Sequence, residues 1–318
     1  MKYVVAIDGG GSKTDAVLLD EKGNILTRSV GLGGNATDIG AEESRRRMWE
    51  TLDPIFAQAP GHVCALYGGI AGVDPNGDLY SEGIKEKYDV GSVRIEDDGF
   101  VLLSGTLGHA DGGAMVCGTG SSLFLRKNGL PVAHLGGKGY LIDTGGSGFE
   151  IGQEAIRLAL RSLDRRIGDT ILVELLEEHI GHPLDYKVVP IIHKGGRPFI
   201  ASFAPLVFQG RKLGDAVCNE IFERQSGLLA DLTYAAARFF DDDFPIVIGG
   251  GIAAHFPEYV EAIQQKSHPR AHIRLQSAPP VYGAAVEAMW DAGISIDERL
   301  KANFIADYAR LSGDTIYM

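Results

Sequence analysis

A run of glycines between two apolar segments is the part of this sequence best suited to bind phosphate. Asp8-Gly9-Gly10-Gly11-Ser12-Lys13-Thr14 lies between residues 3–7 and 16–19, which are short apolar runs typical of buried strands. Successive glycines let backbone N–H groups turn toward one centre, where they can donate to phosphate oxygens. The segment matches neither a Walker A loop nor a dinucleotide-binding fingerprint. Ser12 separates Gly11 from Lys13, which the Walker A motif does not allow, and no helix follows, although both motifs require one. The alternative is a hairpin turn without a ligand.

A second turn of the same kind occurs later in the chain. Gly118-Thr119-Gly120-Ser121 follows the apolar run 114–117, and matching Gly9 to Gly118 gives an offset of 109 residues. The repeated order of strand, turn and strand indicates an internal duplication and two related α/β domains. Two such hairpins could hold a polyphosphate from both sides, and Asp8 beside the phosphates would require a divalent cation such as Mg²⁺. We expect one domain at 1–107 plus 297–318 and the other at 108–296.

An acidic pair follows the last strand predicted in the first domain. Asp97 and Asp98 come directly after residues 93–96, and ligands of open α/β sheets lie beyond the carboxyl ends of strands. An ionised aspartate there can accept the proton of a hydroxyl group during phosphoryl transfer. The alternative is a solvated acidic turn. Asn35, in the glycine-rich segment 31–35, is either a turn residue or a sugar contact.

Composition and charge argue against several classes of partner. The chain has 30 basic and 42 acidic residues, a formal charge of −12, which argues against a nucleic acid or an anionic membrane. No apolar run approaches the ~18 residues of a membrane span. Cys64, Cys117 and Cys218 form no CxxC pair, so we expect neither disulfides nor a cysteine metal site, and a reducing, cytoplasmic location.

Apolar periodicity predicts the helices around these strands. Helices are expected at residues 41–58, 149–163 and 169–179, and a longer amphipathic one from Leu213 to Leu232. A last strand at 246–248 ends at Gly249-Gly250-Gly251, and a helix begins near Tyr282.

Taken together, these segments resemble the BadF/BadG-type ATPase family of the actin, sugar-kinase and Hsp70 superfamily, in particular its N-acetylglucosamine kinase branch. Residues 8–14 match the first phosphate motif and residues 118–121 the second, and the resemblance covers most of the chain. It implies two actin-like (RNase H-like) α/β domains related by duplication, with ATP and a sugar in the cleft between them. The activity implied is ATP-dependent phosphorylation of an amino-sugar hydroxyl by a homodimer.

The resemblance also implies roles for individual residues. Asp98 aligns with the catalytic base and also contacts the sugar, and Asp8 would hold Mg²⁺ through water. Phosphate-binding positions are Gly10, Gly11, Ser12, Lys13, Thr14, Gly118, Thr119, Gly120 and Ser121, while Gly250, Gly251 and Gly283 flank the adenosine. The other sugar-binding positions are Asn35, Gly69, Ala71, Gly72, Gly137 and Asp143.

One segment departs from the family pattern and leaves alternatives open. Thr144 stands at the family's acidic position, with Asp143 one residue earlier. Either the loop shifts so that Asp143 takes over, or the sugar contact is altered. Two other functions are therefore considered: an ATPase that drives conformational change in a partner protein, and a regulator that binds nucleotide or sugar without catalysis.

Overall fold

The computed structural model describes residues 1–11, 13–73, 79–143 and 145–313, without the side chains of residues 37 and 38. The chain divides into two compact units, Met1–Ala110 with Gln276–Met318, and Asp111–Leu275. Element labels run along the whole chain. Among the described residues, none of the helices combines the length and the apolar character needed to cross a bilayer.

The first unit is built on a mixed sheet of five strands. Its strands are β1 (Tyr3–Gly9), β2 (Lys13–Asp20), β3 (Ile25–Leu32), β4 (Val63–Ile70) and β5 (Val90–Glu96). Its helices are α1 (Ala36–Ile39), α2 (Ala41–Ala57), α3 (Ser81–Lys87), α4 (Asp98–Leu107), α12 (Pro280–Asp291) and α13 (Glu298–Ser312). The strand order is β3-β2-β1-β4-β5, with β1, β2 and β3 antiparallel and β1, β4 and β5 parallel.

Both faces of this sheet are buried, which explains the apolar runs of its strands. Val4 and Ala6 belong to a core formed with α4, α12 and α13. Val5 and Ile7 belong to a second core, formed with α2 and α3 on the other face. Because successive side chains of a strand point to opposite faces, a strand covered on both sides must be apolar at every position.

The second unit has a sheet of the same order. Its strands are β6 (Gly112–Cys117), β7 (Ser121–Lys127), β8 (Leu130–Leu135), β9 (Phe244–Gly249) and β10 (Ala271–Leu275). Its helices are α5 (Gly148–Leu163), α6 (Leu172–Ile180), α7 (Val188–Ala201), α8 (Ala204–Lys212), α9 (Ala216–Ala236), α10 (Gly251–His255) and α11 (Pro257–Lys266). The order β8-β7-β6-β9-β10 repeats that of the first sheet, with the same three antiparallel strands and two parallel additions. The predicted duplicated α/β fold is confirmed.

Three expectations differ from the structure. The strand predicted at 246–248 is not the last, because β10 follows it and pairs with it in parallel. Residues 276–296, predicted in the second domain, lie in the first unit, because α12 buries Val281 and Met289 in the core of the first sheet. The long helix predicted from Leu213 to Leu232 begins only at Ala216. Gly214 has a positive φ of 84° and Asp215 accepts a hydrogen bond from the amide of Cys218, so the chain breaks there between α8 and α9.

Candidate active site

The first glycine turn connects β1 to β2 and is tied to two neighbouring loops. The amide of Gly10 donates to the carbonyl of Lys13 at 2.9 Å, which closes the turn. The Gly10 carbonyl accepts from the amide of Gly34 at 3.2 Å, and the Gly9 carbonyl accepts from the amide of Ala71 at 2.7 Å. The loops after β3 and β4 therefore lie against the turn. Ser12, a predicted phosphate contact, lies outside the described residues.

These loops bring the predicted sugar-binding residues of the first unit together. Gly72 has a positive φ of 71°, and a Cβ there would be 2.2 Å from Oδ1 of Asn35. A Cβ on Gly69 would be 3.4 Å from the Cα of Asp98. An open groove of about 920 Å³ borders the cluster, with Ala36 and Gly72 in its wall. Gly72 lets the Asn35 side chain approach the backbone after β4, and Gly69 lets α4, which begins at Asp98, pack closely on β4.

The side chains of Lys13 and Thr14, two predicted phosphate contacts, differ in their surroundings. Thr14 is buried, and its hydroxyl donates to the carbonyl of Leu32 at 3.1 Å. The side chain of Lys13 is 58% exposed, and its Nζ lies 4.0 Å from a carboxylate oxygen of Asp15. A largely exposed lysine amine beside a glycine turn suits a phosphate group, whereas the hydroxyl of Thr14 already donates to a carbonyl.

Asp8 and Asp15 face each other across β1 and β2 but differ in their surroundings. Asp15 accepts two hydrogen bonds from Arg28, at 2.8 and 2.7 Å, and a third from the Tyr308 hydroxyl at 2.9 Å. Asp8 has no hydrogen-bond partner on its carboxyl group among the described residues. Burial, and then the charge of Asp15, raise the pKa of Asp8 to about 7. Within the described residues, the Asp8 carboxyl group thus forms no hydrogen bond or ion pair, and the charge of Lys13 opposes the rise of its pKa only in part.

The second acidic group begins α4. Asp97 is the N-cap residue, and its side chain accepts from the amide of Gly99 at 3.1 Å. Asp98 follows in the first turn of the helix. Burial and then the carboxylates of Asp97 and Asp8 raise the pKa of Asp98 well above its ordinary value. The Asp98 carboxyl is therefore a stronger base than an exposed aspartate.

The described residues fit a Mg²⁺ ion that is held mainly by the phosphates of a bound nucleotide and only partly by protein carboxylates. Within them, no three His, Cys, Asp or Glu side chains form a metal-binding group. Mg²⁺ commonly keeps several waters and uses only one or two carboxylates together with substrate phosphates. The raised pKa of Asp8 fits a site that is short of positive charge until such an ion arrives.

In the second unit, the turn at 118–121 lies at the start of α5. The amides of Gly148 and Phe149 donate to the carbonyls of Gly118 and Thr119 at 2.7 and 3.2 Å. These bonds hold the turn by its carbonyl groups. The amides of Thr119 and Gly120 donate to none of the described residues, so they are available to an anion.

The predicted adenosine glycines lie in different units. Gly250 has a positive φ of 106°, and a Cβ there would be 2.6 Å from the carbonyl oxygen of Cys117, beside the second turn. For Gly251, nothing lies within 4 Å of such a Cβ. Gly283 lies in the first unit, where its Cβ would be 1.8 Å from the carbonyl oxygen of Val101. Helix packing therefore explains Gly283 without a ligand.

The predicted sugar-binding residues of the second unit lie in and before a small closed loop. Asp143 accepts from the amide of Lys138 at 3.2 Å, and its own amide donates to the carbonyl of Gly139 at 2.9 Å. Gly137 has a positive φ of 70° and packs on Ser122. Ser121, a predicted phosphate contact, donates its hydroxyl to the Gly145 carbonyl at 2.6 Å. Thr144 is outside the described residues.

Arg197 also lies beside the second turn, although no sequence pattern singled it out. A Cβ on Gly120 would be 2.3 Å from Nη2 of Arg197. The residue belongs to α7, in a part of the chain with no recognisable motif. An arginine between two glycines and a proline is weak evidence for a binding residue, because the sequence does not say which turn the side chain will reach.

Comparisons with known proteins agree with the fold. The model of the BadF/BadG/BcrA/BcrD ATPase family matches residues 5–288. N-acetyl-D-glucosamine kinase of Dictyostelium discoideum is 28% identical over 313 residues, covering 90% of this chain and 97% of that protein. N-acetylmuramic acid/N-acetylglucosamine kinase of Clostridium acetobutylicum is 29% identical over 230 residues, covering 70% and 75%. A crystal structure from Chromobacterium violaceum, provisionally assigned as an N-acetylglucosamine kinase, has a TM-score of 0.70 at 24% identity, covering 89% and 98%.

Proposed function

Because the chain belongs to the BadF/BadG/BcrA/BcrD ATPase family, we propose that it is an ATP-dependent kinase of an amino-sugar hydroxyl, with N-acetylglucosamine as the first candidate. The observation that carries the proposal is the cluster of the first unit, in which the loop of Asn35 is bonded to the first glycine turn and Asp98, at the start of α4, lies against Gly69 of β4. Such a cluster offers an amide to orient a sugar, a base for its hydroxyl group and a turn for a phosphate. Two curated relatives are kinases of this substrate class by name.

Asp98 acts as the general base in this proposal. Phosphoryl transfer depends mainly on the positioning of groups and on the neutralisation of charge, while one carboxylate accepts the proton of the attacking hydroxyl. The raised pKa of Asp98 makes it a better proton acceptor once it is ionised. A cation beside Asp8 favours that ionised form, because it offsets the negative charges that surround Asp98.

The glycine turns hold the phosphates of ATP. In the first unit, Gly10, Gly11 and Lys13 contribute, and in the second the free amides of Thr119 and Gly120. When bound, Mg²⁺ neutralises phosphate charge, and Asp8 would hold it through water. Gly250 and Gly251 would flank the adenosine.

The proposal also includes a cellular location and an oligomeric state for the protein. Cys64, Cys117 and Cys218 are free thiols, which suits a reducing, cytoplasmic environment. The homodimer is proposed from the family resemblance.

An ADP-release assay across several sugars tests the activity. ATP and Mg²⁺ are supplied with glucosamine, N-acetylglucosamine, N-acetylmuramate, N-acetylmannosamine or glucose. We expect ADP release to depend on an amino sugar and to yield a phosphorylated sugar. ADP release that no sugar changes would instead indicate an ATPase, and saturable binding without any product would indicate a regulator.

Substitutions at two neighbouring aspartates test whether Asp98 is the general base. Asp98→Asn is expected to lower kcat by about 10²- to 10⁴-fold, because the proton acceptor is lost, with the Kd of ATP retained, because the phosphate-binding turns are unchanged. Asp97→Asn is the matched control, because asparagine caps helices as well as aspartate does. It removes one charge that raises the pKa of Asp98 but leaves the base in place, so kcat should fall far less than in Asp98→Asn. Near-normal turnover of Asp98→Asn would remove the base assignment.

A further inference from the structure

The environment of Arg197 assigns it a role that no motif predicts. Gly196, with φ 62° and ψ −158°, interrupts the helical geometry of α7 immediately before Arg197. The guanidinium carbon lies 5.3 Å from the centre of the Tyr140 ring, within cation–π range. The side chain ends at Gly120, where it occupies the space that a Cβ would need. A backbone break and an aromatic ring therefore hold a positive charge at the second glycine turn.

Among the described residues, this guanidinium has no negative partner. In the described part of the chain, Arg197 forms no ion pair, and its buried Nε has no hydrogen-bond partner. Other arginines of the same unit are paired, Arg224 with Glu154 and Arg166 with Asp164. Withdrawing a charge from water without a counter-charge is costly. The arrangement is therefore suited to an anion that arrives with a ligand.

The neighbouring backbone narrows the chemistry of that anion. The amides of Thr119 and Gly120 have no acceptor among the described residues. A planar guanidinium with several N–H donors matches the oxygens of a phosphate group. We propose that Arg197 binds a phosphate group of the nucleotide, together with these two amides. The inference rests on the proposed ATP-dependent function.

Binding measurements separate a phosphate contact from a structural role. Titrations with ATP, ADP, adenosine and inorganic phosphate are made on the full chain with Mg²⁺ present. Arg197→Gln is expected to raise the Kd of ATP by about 10- to 100-fold, the range of a charge-assisted hydrogen bond. The Kd of adenosine stays unchanged. Arg197→Lys keeps the charge but not the planar fork, so its Kd for ATP falls between those of the wild type and Arg197→Gln.

Arg211→Gln is the matched control. The Arg211 guanidinium carbon also lies over an aromatic ring, 3.9 Å from the centre of Phe222, but its side chain bonds to Asn219 of α9. We expect this variant to bind ATP as the wild type does. An unchanged Kd of ATP in Arg197→Gln, or equal weakening of ATP and adenosine, overturns the inference. If the wild type phosphorylates an amino sugar, the proposed function survives that result, whereas a wild type that binds no ATP overturns both.

A second variant tests the contact with the turn itself. Gly120 has no positive φ, so alanine fits the backbone there, but its Cβ must displace the end of the Arg197 side chain. Gly120→Ala should therefore weaken ATP binding and spare adenosine. Combined with Arg197→Gln, it should add little further weakening, because both changes remove one interaction. Fully independent effects would contradict the proposed contact.

Discussion

Replacing Asp8 with asparagine should stabilise the protein while it impairs the site. The raised pKa of Asp8 means that the folded chain holds this proton more tightly than the unfolded chain does. The resulting stability is complete below the unfolded pKa of 3.8 and is lost as the pH rises through about 7. At pH 8 the wild type thus carries the full cost of an ionised Asp8, and Asp8→Asn does not.

The size of the effect follows from the two pKa values. The interval from 3.8 to about 7 corresponds to roughly 4 kcal/mol at ~1.4 kcal/mol per pH unit. Asp8 is partly exposed, and solvent screening reduces the figure, so we expect a gain of roughly 2–4 kcal/mol at pH 8. At pH 5 the gain should be less than half as large, because much of the Asp8 population is then already neutral in the folded state.

Urea unfolding of the ligand-free protein at pH 8 and pH 5 measures this difference. Asp15→Asn is a control that should change the free energy of unfolding in the opposite direction. It leaves Arg28 and Tyr308 without their carboxylate, so it should lower the free energy of unfolding by about 3 kcal/mol or more. With sugar and ATP, Asp8→Asn should need more Mg²⁺ for turnover. An Asp8→Asn variant that is less stable at pH 8, or whose gain does not change with pH, would refute the electrostatic reasoning.

Two glycine substitutions give further predictions. Gly72→Ala should raise the KM of the sugar about tenfold with the KM of ATP unchanged, because its Cβ displaces Asn35. Gly40 also has a positive φ, but nothing lies within 4 Å of a Cβ there, so Gly40→Ala controls for backbone strain in the same kinetic assay. An equal change in the KM of the sugar in both variants would contradict the role of Asn35. Gly283→Ala should destabilise the fold by about 1–3 kcal/mol in urea unfolding, because rigid backbone meets its Cβ. Gly227→Ala, at a half-buried position of α9 with no atom closer than 4.0 Å, should be neutral or slightly stabilising. Similar losses in both variants would refute the packing explanation.

The sheets could be predicted from the sequence because their signals are local. Strands buried on both faces appear as short apolar runs, and the glycine turns mark where β1 and β6 end. The duplication was visible because each copy keeps the order of strand, turn and strand. The topology of five strands in each unit follows from that repeat once the two later parallel strands are recognised.

The helices of the second unit were harder to predict. The chain from Val188 to Lys212 forms α7 and α8, although Gly195, Gly196 and Pro198 argue against a helix. Gly196 does interrupt the helical geometry of α7, and the following helix is held in place because Phe203 and Phe208 belong to the core of the unit. The position of α12 likewise depends on which sheet its buried face meets, and the sequence does not encode that choice locally.

The candidate site was predictable to the extent that backbone turns define it. Asn35 and Gly72 proved to be neighbours because the loops after β3 and β4 are tied to the first turn by main-chain bonds. Their roles in sugar binding stay predictions. The environment of Arg197 could not be predicted, because its contact with Gly120 exists only after α7 has folded against the turn.

The two glycine turns share a backbone pattern but differ in charge. The duplication aligns Cys117 with Asp8, and burial raises the pKa of the Cys117 thiol to about 12, so this position is neutral in the second unit. In the described part of the chain, the second turn instead adjoins the guanidinium of Arg197, which forms no ion pair, while the acidic position of the first turn titrates near neutral pH. A carboxylate suits a hydrated cation, and a guanidinium with free amides suits a phosphate. The two copies of the backbone pattern therefore differ in what their side chains suit, a cation at the first turn and an anion at the second.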